Sequence, residues 1–216
     1  MTLDATWARD WIDRTADVVE AERHGLSELD RQIGDGDHGE NLARGFSAVR
    51  DRLGELPPAA SPGAALRLVA TTLISTVGGA SGPLLGTAYL KGSAAIGESA
   101  ELDSEAIVAF LTAARDGVVL RGRAEVGDKT MVDAWTPAVD AAAAAAADGA
   151  SPARVLRAAA DAAATGAAST EPLVARKGRA SYLGDRAIGH RDPGAQSSSL
   201  IIAAAADAAD GSSKEN

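Results

Sequence analysis

Apolar residues recur every three or four positions in segment after segment of this chain, and alternation with period two is hard to find. Trp7, Trp11 and Val18 fall on one stripe. Leu42, Phe46, Val49 and Leu53 step by four, three and four until Pro57-Pro58 stops them, and a Ser-Pro-Gly loop follows at 61–63. Leu66, Val69, Leu73 and Val77 mark a third helix ending at Gly78-Gly79. Leu84, Leu85, Ala88 and Tyr89 open a fourth that stops near Gly97. Ile107, Phe110, Leu111, Ala114 and Val118 make a fifth, entered through Asp103. A sixth starts near Asp133 or Thr136, with Pro137 in its first turn, and runs to Gly149. Ser151-Pro152 caps a seventh. Asp192-Pro193 caps the last, which carries Leu200 and Ile201 toward a polar tail at 211–216.

About eight helices with short connections imply antiparallel neighbours, so the expected fold is all-α: an up-and-down bundle or barrel in a single domain spanning residues 1–216. Aromatics are only 3% of the residues, so the core must come from Leu, Ile, Val and Ala on closely approaching helices. The net charge of -9 argues against a broad electrostatic grip on nucleic acid or anionic lipid. A phosphate ligand would therefore need local help from a metal ion or a few placed donors. With no cysteine, disulfides, thiolate zinc sites and a cysteine nucleophile are excluded. Residues 1–15 lack the apolar stretch of a secretory signal, and the most apolar stretch, 141–164, is broken by Asp148, Gly149, Pro152, Arg154, Arg157 and Asp161. A cytoplasmic protein without a membrane span is expected.

Three regions are rich in glycine and charge. In Asp30-Arg31-Gln32-Ile33-Gly34-Asp35-Gly36-Asp37-His38-Gly39-Glu40-Asn41, three aspartates lie within eight residues. Gly34 and Gly36 allow tight or left-handed backbone, so Asp30, Asp35 and Asp37 can converge as hard oxygen ligands for Mg or Ca. The spacing is not that of an EF-hand, and an isolated D-G-D is more often a solvated turn whose Asp caps a helix. The helix start at 38–41 adds free amides that suit an anion. His38 can donate a hydrogen bond, ligate metal, become phosphorylated, or simply order the loop. The second region, Gly78-Gly79-Ala80-Ser81-Gly82-Pro83-Leu84, opens a helix with small residues but is not a Walker A loop. The third comprises 121–131 and 176–194, where Lys129, Arg176, Lys177, Arg179 and Arg186 are candidates to clamp phosphates or dock a partner.

Taken together, Leu29 to Gly39, Ser75 to Leu84, Gly127-Asp128-Lys129-Thr130-Met131 and 175–194 resemble, in the same order, the blocks of the ADP-binding L subunits of phosphoenolpyruvate-dependent dihydroxyacetone kinases. The resemblance implies a barrel of eight antiparallel helices with ADP or ATP and two Mg ions at one end. It makes Asp30, Asp35 and Asp37 the metal ligands. His38, Gly39, Glu40 and Asn41, with Gly79, Ala80 and Ser81, would surround the phosphates; Gly122, Thr130, Met131, Arg179, Asp192, Pro193 and Gly194 would complete the pocket. It implies phosphoryl transfer without a protein nucleophile. The bound nucleotide would take phosphate from a phosphohistidine protein of the M subunit type and pass it to dihydroxyacetone on a separate K subunit. Two alternatives carry the same site: an ATP-exchanging kinase domain for dihydroxyacetone or another substrate, and an ADP-loaded adaptor that binds a transcription regulator.

Overall fold

The computed structural model describes residues 2–212. Its α-helices are α1 (Ala5–Ala21), α2 (Arg23–Ile33), α3 (His38–Leu53), α4 (Pro62–Thr76), α5 (Ser81–Ile96), α6 (Ser104–Gly122), α7 (Val132–Ala147), α8 (Pro152–Ala168) and α9 (Pro193–Ser212), with a short 3-10 segment, Arg179–Ala187, before the last. Among the described residues there is no strand, only an isolated bridge between Leu3 and Leu102. None of the described helices is long and apolar enough to cross a membrane.

Eight helices form a ring: α1, α3, α4, α5, α6, α7 and α8 each pack on the next, and α9 returns to α1. α2 lies across α3 and α9. The closure is made by tryptophan. Trp7 and Trp11 stack at 5.3 Å, and their indole N–H groups donate to the carbonyls of Ala205 (3.0 Å) and Ile201 (2.9 Å) on α9. Trp11 also meets Phe110 of α6 edge-on at 5.6 Å, so one buried ring ties the first helix across the core. Small residues let the other neighbours approach. A Cβ added to Gly166 of α8 would lie 2.2 Å from the Asp133 carbonyl of α7.

Most expected starts hold. Asp103 accepts from the Ala106 amide at 2.8 Å and Asp192 from the Ala195 amide at 2.7 Å, each in the first turn of its helix. Three details differ. Ser61, Pro62 and Gly63 are not a loop: Ser61 caps α4 through the Ala64 amide, and Pro62 is its first residue. Pro137 stands inside α7, past the first turn, because Thr130 and Met131 already supply turn carbonyls to 133–135 and bring the start forward to Val132. Ser151 sits at the start of α8 without a side-chain capping bond. Val18 is partly buried against the core beside Trp7 and Trp11, and Val19 is the fully buried valine of the helix. Of the expected polar tail, residues 213–216 lie outside the described residues.

Candidate functional site

Because ring neighbours alternate in direction, α3, α5, α7 and α9 all begin at the same end of the barrel, around a cavity of about 600 Å³. The wall at that end includes Asp37 and His38, Ala80 and Ser81, Met131 and Val132, and Pro193 and Gly194, the first residues of those four helices. Four helix N-termini around one space give it a positive bias that suits an anion.

Against that bias stands an acidic edge. Asp30, Asp35 and Asp37 each offer a carboxylate oxygen, all within 4.8 Å of one another. Asp30, on the last turn of α2, accepts from the Asp37 amide at 2.9 Å and the His38 amide at 3.2 Å through Oδ2, so the cap of α3 comes from seven residues upstream. The Asp37 carboxylate makes no capping bond. Gly36 turns the chain at a φ of 79°, and Gly34 is required for space: an added Cβ would sit 2.2 Å from Asp30 Oδ1. Burial, with Asp35 adding to it, raises the Asp30 pKa against the two amide bonds. Like charges held this close are what a divalent cation relieves. Arg179 reaches over the edge to Asp35 at 2.9 Å.

His38 is buried between two hydroxyls, Nε2 at 2.9 Å from Ser197 Oγ and Nδ1 at 3.0 Å from Ser81 Oγ. Ser197 spends its proton on the Gly194 carbonyl, so it accepts from Nε2–H, and Nδ1 accepts from Ser81. Desolvation lowers its pKa to about 4. With both ring nitrogens paired to hydroxyls, His38 orders the loop and holds the Ser81 side chain at the cavity wall. Gly79, at a φ of 66°, and Ala80 bring backbone to the same wall, and Asn41 is held there by Arg44 at 2.6 Å.

The far wall holds Arg121, Gly122, Thr130, Lys177 and Arg179. Asp133 shapes its loop by accepting from the amides of Gly127 (2.5 Å) and Thr130 (2.7 Å). Asp192 is partly covered in the floor; burial first, then Asp133 and Asp30, push its pKa up to about 7. Lys129 is a correction to its reading as a phosphate clamp. It is 1% exposed, and its ammonium donates to the carbonyls of Thr170 (2.9 Å), Leu173 (3.1 Å) and Ala187 (2.8 Å), with Glu171 at 3.4 Å. Arg176 and Arg186 are exposed away from the cavity wall.

Of the residues expected at the site, Gly39 and Glu40 are not on the wall. Gly39 packs on α2, where an added Cβ would be 2.0 Å from the Arg23 carbonyl, and Glu40 points outward to Arg23 at 3.5 Å. The helical turn that presents His38 and Asn41 necessarily faces them elsewhere. Sequence reading missed the apolar side, Ile33, Leu84, Val118, Ala124 and Val132. A helical apolar residue beside a ligand carries the same pattern as one in a core, so only the cavity identifies them.

The profile of the DAK2 domain matches residues 32–207. The chain is 44% identical over 199 residues to the ADP-binding subunit DhaL of the PEP-dependent dihydroxyacetone kinase of Escherichia coli, covering 91% of this chain and 93% of that one. It is 34% identical over 197 residues to the D-erythrulose kinase of Mycolicibacterium smegmatis, covering 91% of this chain but 34% of that longer protein. Among solved structures, the dihydroxyacetone kinase from C. freundii in complex with AMP-PNP and Mg2+ has the same fold, with a TM-score of 0.70 and 24% identity, over 96% of this chain and 34% of that one.

Proposed function

The chain belongs to the DAK2 domain family, and from that premise we propose that it is the nucleotide-binding subunit of a dihydroxyacetone kinase. Its cavity holds ADP or ATP with Mg2+. Phosphate arrives from a phosphohistidine protein and leaves for dihydroxyacetone on a separate K subunit. The observation that carries the reading is the convergence of Asp30, Asp35 and Asp37 within 4.8 Å at the edge of a cavity walled by four helix N-termini. Acidic ligands gather cations, and the helix ends take the phosphate oxygens those cations leave unneutralised.

Chemically the site is a positioning device. In the first transfer the P–N bond of the donor breaks as a terminal ADP oxygen bonds to phosphorus. In the second the β,γ-bridging P–O bond breaks as a triose hydroxyl oxygen bonds to phosphorus, releasing its proton to water and leaving ADP. Mg2+ at Asp30, Asp35 and Asp37 would neutralise phosphate charge in both directions. The chain's own donors orient the phosphates: the amides at 79–81 and the guanidinium of Arg179. His38, buried and neutral, has no role as nucleophile. The apolar side at Leu84, Val118 and Val132 gives the base a dry surface.

Isothermal titration with ADP of protein first stripped of nucleotide by unfolding and refolding, with and without Mg2+, tests this. Mg-dependent binding is expected, and Asp35→Asn should weaken it by roughly tenfold or more with the helical circular dichroism unchanged. Binding that ignores Mg2+, or an Asp35→Asn protein that binds like the parent, would remove the metal assignment. Exchange of bound ADP against labelled ATP separates this reading from an ATP-exchanging kinase: slow exchange supports donation by phosphohistidine.

A further inference from the structure

The segment between α8 and α9 carries Arg179 and Asp192 to the cavity, yet it contains little regular structure of its own beyond the 3-10 turn. What holds it is a set of bonds at its base. Lys129, on a left-handed backbone at a φ of 63°, sends its ammonium into a cage of main-chain carbonyls from both ends of that segment, Thr170, Glu171 and Leu173 at the start and Ala187 near the end. The Gly189 amide donates to the Glu171 carbonyl at 2.8 Å, and the Asp192 amide to the Thr170 hydroxyl at 2.9 Å. Arg191 closes the outer side on the Glu171 carboxylate at 2.7 Å. A lysine with one proton per carbonyl for three of its partners has nothing left for a phosphate.

We propose that Lys129 is a positioning residue for nucleotide binding: a tethered cation that draws the two ends of the 170–192 segment together and so fixes Asp192, Pro193 and Gly194 in the cavity floor. The inference rests on the nucleotide site proposed above. An ammonium amid carbonyl dipoles is a charge-assisted arrangement, stronger than a neutral bond and indifferent to which carbonyl takes which proton, which suits it to gather chain ends that no helix holds together. Its cage is also of the kind that binds a free monovalent cation, because carbonyl oxygens at these distances can replace a hydration shell. Truncating the side chain should therefore leave a site that an added cation can refill.

The test uses Lys129→Ala in the full chain, read by Mg-ADP titration and by hydrogen exchange at the amides of Gly189 and Asp192 in the nucleotide-free protein. The expected result is ADP binding weakened by roughly tenfold or more, faster exchange at both amides, and partial recovery of both with n-propylammonium or K+ but not Na+. Parent-like affinity, weakened binding without faster exchange, or absence of any cation-selective recovery would overturn the proposal. Should Lys129→Ala fail to fold, Thr170→Val decides, since it keeps the Thr170 carbonyl in the cage and removes the hydroxyl that accepts from the Asp192 amide and donates to the Ala167 carbonyl at 2.7 Å: faster Asp192 exchange with weaker ADP binding supports the positioning role, and unchanged affinity overturns it. If the parent itself bound no Mg-ADP, the site reading would fall, while the exchange data would still report whether Lys129 holds the segment.

Discussion

Gly34→Ala is the sharpest probe of the acidic edge. The φ of Gly34 is -146°, not left-handed, and the contact to weigh is one of space. The new Cβ would meet Asp30 Oδ1 at 2.2 Å and the Asp30 carbonyl at 3.0 Å. The carboxylate can rotate away only by giving up the amides of Asp37 and His38, which it holds at 2.9 and 3.2 Å. Bonds from amides to a charged carboxylate are worth about 1.5–3 kcal/mol each, and since Asp30 is half-buried, water returns part of that, leaving about 3 kcal/mol for the pair. For a chain of 216 residues, about 3 kcal/mol lowers Tm by roughly 6–12 °C. The same rotation takes one of the three carboxylates out of register, so Mn2+ binding, read by electron paramagnetic resonance, should weaken too. Gly36→Ala is the control: its φ of 79° makes alanine cost about 1–2 kcal/mol of backbone strain, while the nearest side chain, Arg31, is 3.3 Å away and the cap stays intact. A Gly34→Ala protein that melts within about 2 °C of the parent and binds Mn2+ equally would refute the placement of the Asp30 carboxylate.

Two further predictions concern charge. His38 has a lowered folded pKa of about 4, so its contribution is fully present above the ordinary 6.5 and is lost as pH falls toward 4. Asp192 is raised to about 7, so it costs stability increasingly as pH rises from 3.8 to 7. The two oppose each other across that range. In metal-free buffer the parent should show a shallow pH profile by urea unfolding, Asp192→Asn should lose stability on acidification with a slope approaching about 1.4 kcal/mol per pH unit, and His38→Asn should show the reverse trend; two variants with the same sign of slope would contradict the assignment. Arg179→Ala removes an ion pair whose partners are 69% and 38% exposed, so chemical denaturation should register less than about 1 kcal/mol, while ADP titration should show weaker binding. A large stability loss with unchanged affinity would make Arg179 structural.

The caps at Asp103 and Asp192 and the convergence of Asp30, Asp35 and Asp37 were legible because each is a local matter of spacing and backbone freedom. α2 was not: Glu22 alone separates it from α1, with neither proline nor glycine to mark the break, and its buried positions are only Leu26, Ser27 and Ile33. Lys129 was misread for a different reason. A lysine in a glycine-rich loop looks alike whether it meets a phosphate or a carbonyl, and its partners lie 41 to 58 residues away. The orientation of Glu40 follows from helical phase, which becomes readable only once His38 is known to face inward.

The indole bonds that join α1 to α9 set an order of events for a growing chain. Trp11 and its carbonyl partner are 190 residues apart, so at roughly 5–20 residues per second the ribosome takes about 10–40 s to supply what covers it. For that interval the two tryptophans stand without the helix that covers them in the finished barrel, an apolar face that a nascent chain must keep from other chains.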